Sequence, residues 1–91
     1  MMTPEQYALK VAIELVNAEE AMKPHQEQID AFMQDMDSPM NDEAQEAFDD
    51  WAMCLNETCK AFRHAGILYQ REWTGAQYVQ AAVLKIPVSS I

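Results

Sequence analysis

The segment of residues 41–73 reads NDEAQEAFDDWAMCLNETCKAFRHAGILYQREW. Its apolar and aromatic residues recur at alternating steps of four and three, the spacing that places side chains along one side of an α-helix. The pattern runs for about four heptads and meets no proline, and no glycine before Gly66. We therefore predict one long amphipathic helix over residues 41–73. The residues on its apolar side are Ala44, Phe48, Trp51, Leu55, Thr58, Phe62, Ala65 and Tyr69.

A second amphipathic pattern precedes this stretch and opens with a helix start. Thr3 is a hydroxyl N-cap, Pro4 suits the first helical position, and Gln6 can close a capping box. The four-three pattern continues to residue 36 with Pro24 inside it. Because a proline removes a backbone donor and clashes with the preceding turn, we predict a helix over residues 4–36 that is kinked or broken near Pro24. A kink is favoured, since the pattern keeps its phase. The apolar side consists of Ala8, Val11, Leu15, Ala18, Met22, His25, Ile29, Phe32 and Met36.

A short link and a third helix complete the predicted fold. Residues 37–40 form a short link between the two long helices. A link of this length favours an antiparallel hairpin. A third helix is predicted over residues 75–86, capped by Thr74 and stopped by Pro87. The predicted fold class is all-α, a long antiparallel helical hairpin with a short third helix packed at its open end, in one domain over 91 residues. The third helix should pack on a second apolar row of the first helix, formed by Leu9, Ile13 and Val16.

The charge is distributed unevenly along the chain. Fifteen acidic residues against six basic ones give a net charge of −9. Between Pro24 and Cys59 there are ten acidic residues and no lysine or arginine. Such a surface repels nucleic acid and anionic membranes and attracts basic partners. We predict that these ten residues form a partner-binding surface: Glu27, Asp30, Asp35, Asp37, Asp42, Glu43, Glu46, Asp49, Asp50 and Glu57.

Two interpretations of this charge compete. The plain interpretation is a solvated surface that keeps a small protein soluble. The other is mimicry of nucleic acid, because carboxylates one helical turn apart, at about 5–6 Å, resemble successive phosphates. Ten charges along roughly 27 Å of helix give about one per 2.7 Å, against one per about 1.7 Å in duplex DNA. Mimicry is the functional hypothesis that the charge pattern favours over any catalytic one.

No catalytic or cofactor signature accompanies the charge. His25, His64, Cys54 and Cys59 include the elements of a zinc site, but their spacing places no two of them at i, i+4. The Glu-x-x-His motif of di-iron bundles is absent. We therefore predict a non-enzymatic protein with no cofactor and no metal. The two cysteines, about 8.6 Å apart on a helix and so beyond disulfide reach, are expected to be free thiols.

Three methionines near the hairpin tip have two interpretations. Methionine usually fills gaps in a thin core, but it also forms adaptable binding surfaces. Core packing is the expected role, and binding is the alternative. The three residues are Met33, Met36 and Met40.

In size, acidity and lack of catalytic motifs the chain is similar to the small inhibitors that phages make against CRISPR complexes and restriction enzymes. This likeness of character covers no motif. We predict an inhibitor that mimics nucleic acid and occupies the basic groove of a DNA- or RNA-handling complex, without binding nucleic acid or membrane itself. With no apparent signal peptide or membrane span, we expect a cytoplasmic location, that of the host cell if a phage encodes the protein.

The alternative function is a helical adaptor or a self-associating protein, including a homodimer, that uses an apolar helix side or the third helix to bind another helix. A third option is direct contact with nucleic acid through the basic residues of the open end. The net charge of −9 disfavours it. Those residues are Lys60, Arg63, Arg71 and Lys85.

Overall fold

The computed structural model describes residues 1–85 and residue 87. Its helices are α1 (Pro4–Met22), α2 (Gln26–Gln34), α3 (Asp42–Ala65) and α4 (Gly75–Leu84), with a 3₁₀ turn at Lys23–His25 between α1 and α2. Helix α1 packs along α3 and also contacts α4, which confirms the predicted all-α hairpin with a short additional helix. None of the described helices is both long and apolar enough to cross a membrane.

The start of α1 has the predicted capping box. The Gln6 backbone N–H donates to the Thr3 hydroxyl at 3.1 Å, and the Thr3 N–H donates to the Gln6 side-chain oxygen at 2.9 Å. Two backbone donors that the helix itself cannot satisfy are thereby paired. The start of the first helix at Pro4 is therefore explained by residues 3–6 alone.

Pro24 interrupts the first arm of the hairpin, as predicted, but by a change of helix type. Because proline has no N–H, its neighbours close tighter turns: the Lys23 N–H donates to the Glu20 carbonyl and the Gln26 N–H to the Lys23 carbonyl. The favoured single kinked helix is therefore replaced by two α-helices joined through a 3₁₀ turn. Helix α2 ends at Gln34 rather than at residue 36.

Helix α3 begins where predicted and ends early. The Asn41 side chain caps it by accepting the Ala44 N–H at 2.8 Å. At the other end Gly66 adopts φ +72°, and the Ile67 N–H donates to the Phe62 carbonyl at 3.0 Å. This is the Schellman arrangement, in which a left-handed glycine terminates a helix. The prediction that the helix continues to residue 73 is wrong, because Gly66 ends the helix after Ala65.

Helix α4 is packed closely against α1 at its start. Thr74 and Gln77 form a second capping box. The Gly75 N–H donates to both carboxylate oxygens of Glu19, at 3.0 and 2.9 Å, and a Cβ at Gly75 would lie 2.8 Å from Val16 Cγ2. Glycine is therefore required at this position. The helix ends at Leu84, and the predicted end at residue 86 lies outside the described residues.

One of the three α1 residues predicted to pack against the third helix is exposed instead. Leu9 and Val16 are half-buried as expected, but Ile13 is 47% exposed. Ala12, which the apolar pattern did not include, is completely buried. A small residue suits that position because it lets a neighbouring helix approach closely.

The main core lies at the open end of the hairpin, where α1, α3 and α4 meet. Phe62 and Tyr78 are fully buried and pack edge to face with ring centroids 5.2 Å apart. Tyr69, beyond the end of α3, still packs on Phe62 at 6.3 Å. The Tyr78 hydroxyl donates to the Gln70 carbonyl at 2.6 Å, and burial raises its pKa above the ordinary value. The loop after α3 is thus tied to the same core.

Candidate functional site

The acidic arm, which we define as residues 27–57, is the part of the hairpin that holds the ten predicted binding residues. Its two helices meet through few large side chains. Phe32 packs edge to face on Phe48 at 5.7 Å, and Phe48 lies 5.9 Å from Trp51. Ile29 is the large side chain of α2 that is fully buried. The Gln28 side chain also accepts the Asn41 backbone N–H at 2.9 Å, which joins α2 to the start of α3.

Nine of the ten carboxylates are exposed to solvent. Glu57 is the exception: it is half-buried and accepts the Tyr7 hydroxyl at 2.6 Å, a bond that raises the pKa of Tyr7. Asp30 and Asp49 each accept an amide N–H from a glutamine one turn earlier. Glu57 therefore connects α3 to α1, whereas the other nine face water on α2, on the connecting link and on the first half of α3.

None of the ten forms an ion pair within residues 1–85 and 87. The two ion pairs found there join Lys10 to Glu14 at 3.9 Å and Lys23 to Glu20 at 2.9 Å, both on α1 or its end. The two arginines donate hydrogen bonds to uncharged oxygen atoms. Arg71 donates to the Asn56 side chain at 2.6 Å, and Arg63 donates to the Tyr69 hydroxyl at 3.3 Å. The negative charge of the arm is therefore not neutralised by the described part of the chain.

The outward ridge of α3 also carries an apolar side chain that the sequence patterns did not reveal. Met53 is 70% exposed. It lies three and four residues after Asp50 and Asp49 and seven after Glu46, so all four share one side of the helix. The spacing of Met53 from Glu46 and Asp50 already indicates this outward position, whereas the predicted helix rests on the apolar pattern of the opposite side.

The methionines of the hairpin tip are not core residues as a group. Met33 is 61% and Met36 77% exposed, while Met40 is half-buried. The expectation of core packing is wrong for the first two because α2 ends at Gln34 and its inward side is already occupied by Ile29 and Phe32. Apolar groups thus stand among the carboxylates at the tip as well as on α3.

The cysteines and histidines do not assemble into a metal centre. Among the described residues, no group of three or more His, Cys, Asp or Glu side chains could hold a metal ion. Cys59 is buried with its sulfur 3.5 Å from the Tyr78 hydroxyl. Burial raises the pKa of the Cys54 thiol, and the carboxylates of Glu14 and Asp50 raise it further. A raised pKa keeps the thiol protonated and so lowers its nucleophilicity.

Comparison with known proteins finds no match to this chain among protein-family models, curated proteins or solved structures.

Proposed function

We propose that the protein is a small binding protein whose acidic arm occupies a basic, nucleic-acid-binding groove on another protein or complex and so excludes DNA or RNA from it. The observation that carries this proposal is that nine exposed carboxylates stand on residues 27–57 with no internal ion pair among the described residues. Unpaired charges of one sign produce a strong local potential, which steers and holds an oppositely charged surface.

The local structure supports an arm that presents these charges in a defined arrangement. Asn41 caps α3, and Phe32, Phe48 and Trp51 pack between the two helices. The carboxylates of α3 are therefore carried on a regular helix with about 1.5 Å rise per residue. An inhibitor of this kind is of the class that phages direct against CRISPR complexes and restriction enzymes.

The test compares two variants of equal net charge. The arm variant reverses four exposed carboxylates of α3 to lysine, and the control variant reverses four carboxylates outside the arm. Each quadruple substitution changes the net charge of −9 by eight, to −1. The arm variant is Asp42→Lys, Glu46→Lys, Asp49→Lys and Asp50→Lys. The control variant is Glu5→Lys, Glu14→Lys, Glu20→Lys and Glu72→Lys.

Each protein is immobilised, exposed to a bacterial lysate, and eluted with salt or with duplex DNA. We expect the parent and the control variant to retain nucleic-acid-binding proteins that moderate salt and added DNA release, and the arm variant to lose them. Helicity by circular dichroism should stay the same in all three. If the arm variant retains the same proteins as the parent, or if DNA displaces none of them, the proposal is wrong.

A second candidate function is a helical adaptor, and the outer side of α4 favours it. Val83 is 62% and Leu84 59% exposed there, whereas the apolar sides of α1 and α3 face each other and are largely covered. Salt distinguishes the two functions, because charge-driven docking weakens steeply with ionic strength and apolar helix pairing does not. A complex held by α4 should survive the salt that releases a complex held by the arm.

A further inference from the structure

The outer side of α4 forms a shallow apolar groove. It is an open cavity of about 210 Å³ on α4, which among the described helices is the one without a charged residue. Trp73 forms one end of the groove, where it is half-buried against Tyr78 with ring centroids 5.5 Å apart. Leu84 forms the other end and is 59% exposed. We call this surface the α4 groove; the residues that line it are Trp73, Gln77, Gln80, Ala81 and Leu84.

Part of the sequence across the α4 groove is symmetric about the midpoint between Tyr78 and Val79. Three pairs of residues at equal distances on either side of this point have matching chemistry, whereas Thr74 and Val83 differ. The matching pairs are Gln77 with Gln80, Ala76 with Ala81, and Trp73 with Leu84. The next pair outward, Glu72 and Lys85, has opposite charges, and both residues are exposed.

A two-fold axis through this midpoint would bring each residue of one protomer against its matching residue on the partner, because the helices then run antiparallel. Apolar ends would meet apolar ends, and each Glu72 would face a Lys85 of the partner subunit. The amide NH₂ group of Gln77 is available for such a contact, since its oxygen accepts the Thr74 N–H at 2.8 Å.

We propose that the α4 groove binds a second copy of this chain, antiparallel and about a two-fold axis, to form a homodimer. A second copy fits better than an unrelated helix because the surface is complementary to itself in both apolar character and charge. The net charge of −9 also favours α4 as the contact surface, because two acidic protomers repel each other least where the facing helices are uncharged. Helix α4 packs on Val16 and Glu19 of α1 and on Cys59 and Phe62 of α3, all outside the acidic arm.

The first test measures mass in solution as a function of concentration, by sedimentation equilibrium. We expect the apparent mass of the full chain to rise from the 10.4 kDa of the monomer towards twice that value. Leu84→Glu should raise the dissociation constant by about tenfold or more, because it places a carboxylate against the partner's apolar Trp73. The matched control is Met2→Glu, which also replaces an exposed apolar side chain by a carboxylate but lies outside both the α4 groove and the acidic arm, and it should leave the dissociation constant unchanged. Circular dichroism checks that both variants are folded.

The second test exchanges the charges at the two ends of the groove. Glu72→Lys or Lys85→Glu alone brings like charges together and should weaken the dimer by about two- to fivefold for each pair affected. The double variant Glu72→Lys with Lys85→Glu restores opposite charges and should recover the parent dissociation constant. Recovery of this kind depends on the two side chains facing each other across the two-fold axis.

Three results would overturn the proposal: a constant mass of 10.4 kDa up to the solubility limit, a dimer that Leu84→Glu and Met2→Glu affect equally, or a double charge exchange that fails to restore association. None of them bears on the acidic arm, whose test is loss of DNA-displaceable binding in the arm variant. The dimer and the proposed nucleic-acid mimicry can therefore fail separately.

Discussion

The open end and the acidic arm are two parts of one antiparallel helical hairpin, yet they differ in the packing that holds them together. At the open end three helices enclose Leu15, Phe62 and Tyr78, all completely buried. In the arm two helices share the fully buried Ile29 and Ala44 and a row of half-buried aromatic rings. Two packed helices cannot surround a side chain as three can, so more of the arm's apolar surface stays in contact with water.

This difference separates stability from recognition within one small chain. The open end buries apolar area, the main favourable term in folding. The arm carries like charges on one side of a helix, which costs a few tenths of a kcal/mol for each pair one turn apart. The stable end thus supports a surface that would not be favourable as an isolated helix.

The largest effect is expected from removing an aromatic ring at each end. Phe62→Ala should lower the free energy of unfolding by about 3–5 kcal/mol, because it leaves a cavity in a closed core. Phe48→Ala in the arm should cost about 1–2 kcal/mol, since its ring is half-buried. Urea denaturation followed by circular dichroism measures both. Equal losses would show that the arm contributes as much to stability as the open end does.

A smaller effect is expected at the two glycines, which serve different purposes. Gly75→Ala should destabilise by about 1–3 kcal/mol, because the new Cβ would lie 2.6 Å from Glu19 Oε1 and 2.9 Å from the Val16 backbone nitrogen. Gly66→Ala meets no atom within 4 Å but must adopt φ +72°, which costs about 1 kcal/mol. Thermal unfolding of both variants gives the order. A Gly75→Ala protein as stable as the parent would mean that α4 is not packed tightly against α1.

The smallest effect, and of opposite sign, is expected on the arm. Glu46→Gln and Asp50→Asn each relieve repulsion one helical turn apart and should raise the free energy of unfolding by a few tenths of a kcal/mol at low salt. Glu20→Gln is the control, because it removes the ion pair with Lys23 at 2.9 Å and should not stabilise. Added salt should erase the gain of the two arm variants. A loss of stability on neutralising either arm residue would contradict the like-charge interpretation.

The elements of this fold that depend on short-range sequence could be predicted well. Thr3 with Gln6 and Asn41 with Ala44 bond within a single turn, so each helix start is visible in a few residues. The apolar sides of the helices follow from spacing alone. The end of α3 differs from the prediction because the apolar pattern continues to Tyr69, whereas Gly66 in the left-handed conformation ends the helix. Tyr69 does reach the core, but from a loop.

Patterns along the chain are thus enough to predict the helices, their antiparallel pairing and the concentration of negative charge in residues 27–57. Which side chains become buried depends on the packing of the helices. That packing buried Ala12 and left Ile13 at the surface, tied Glu19 to the start of α4 and Glu57 to Tyr7, and exposed Met33 and Met53. Helix periodicity depends on residues that are close in sequence. Burial depends instead on which helix, distant in sequence, packs against each side of the helix in question.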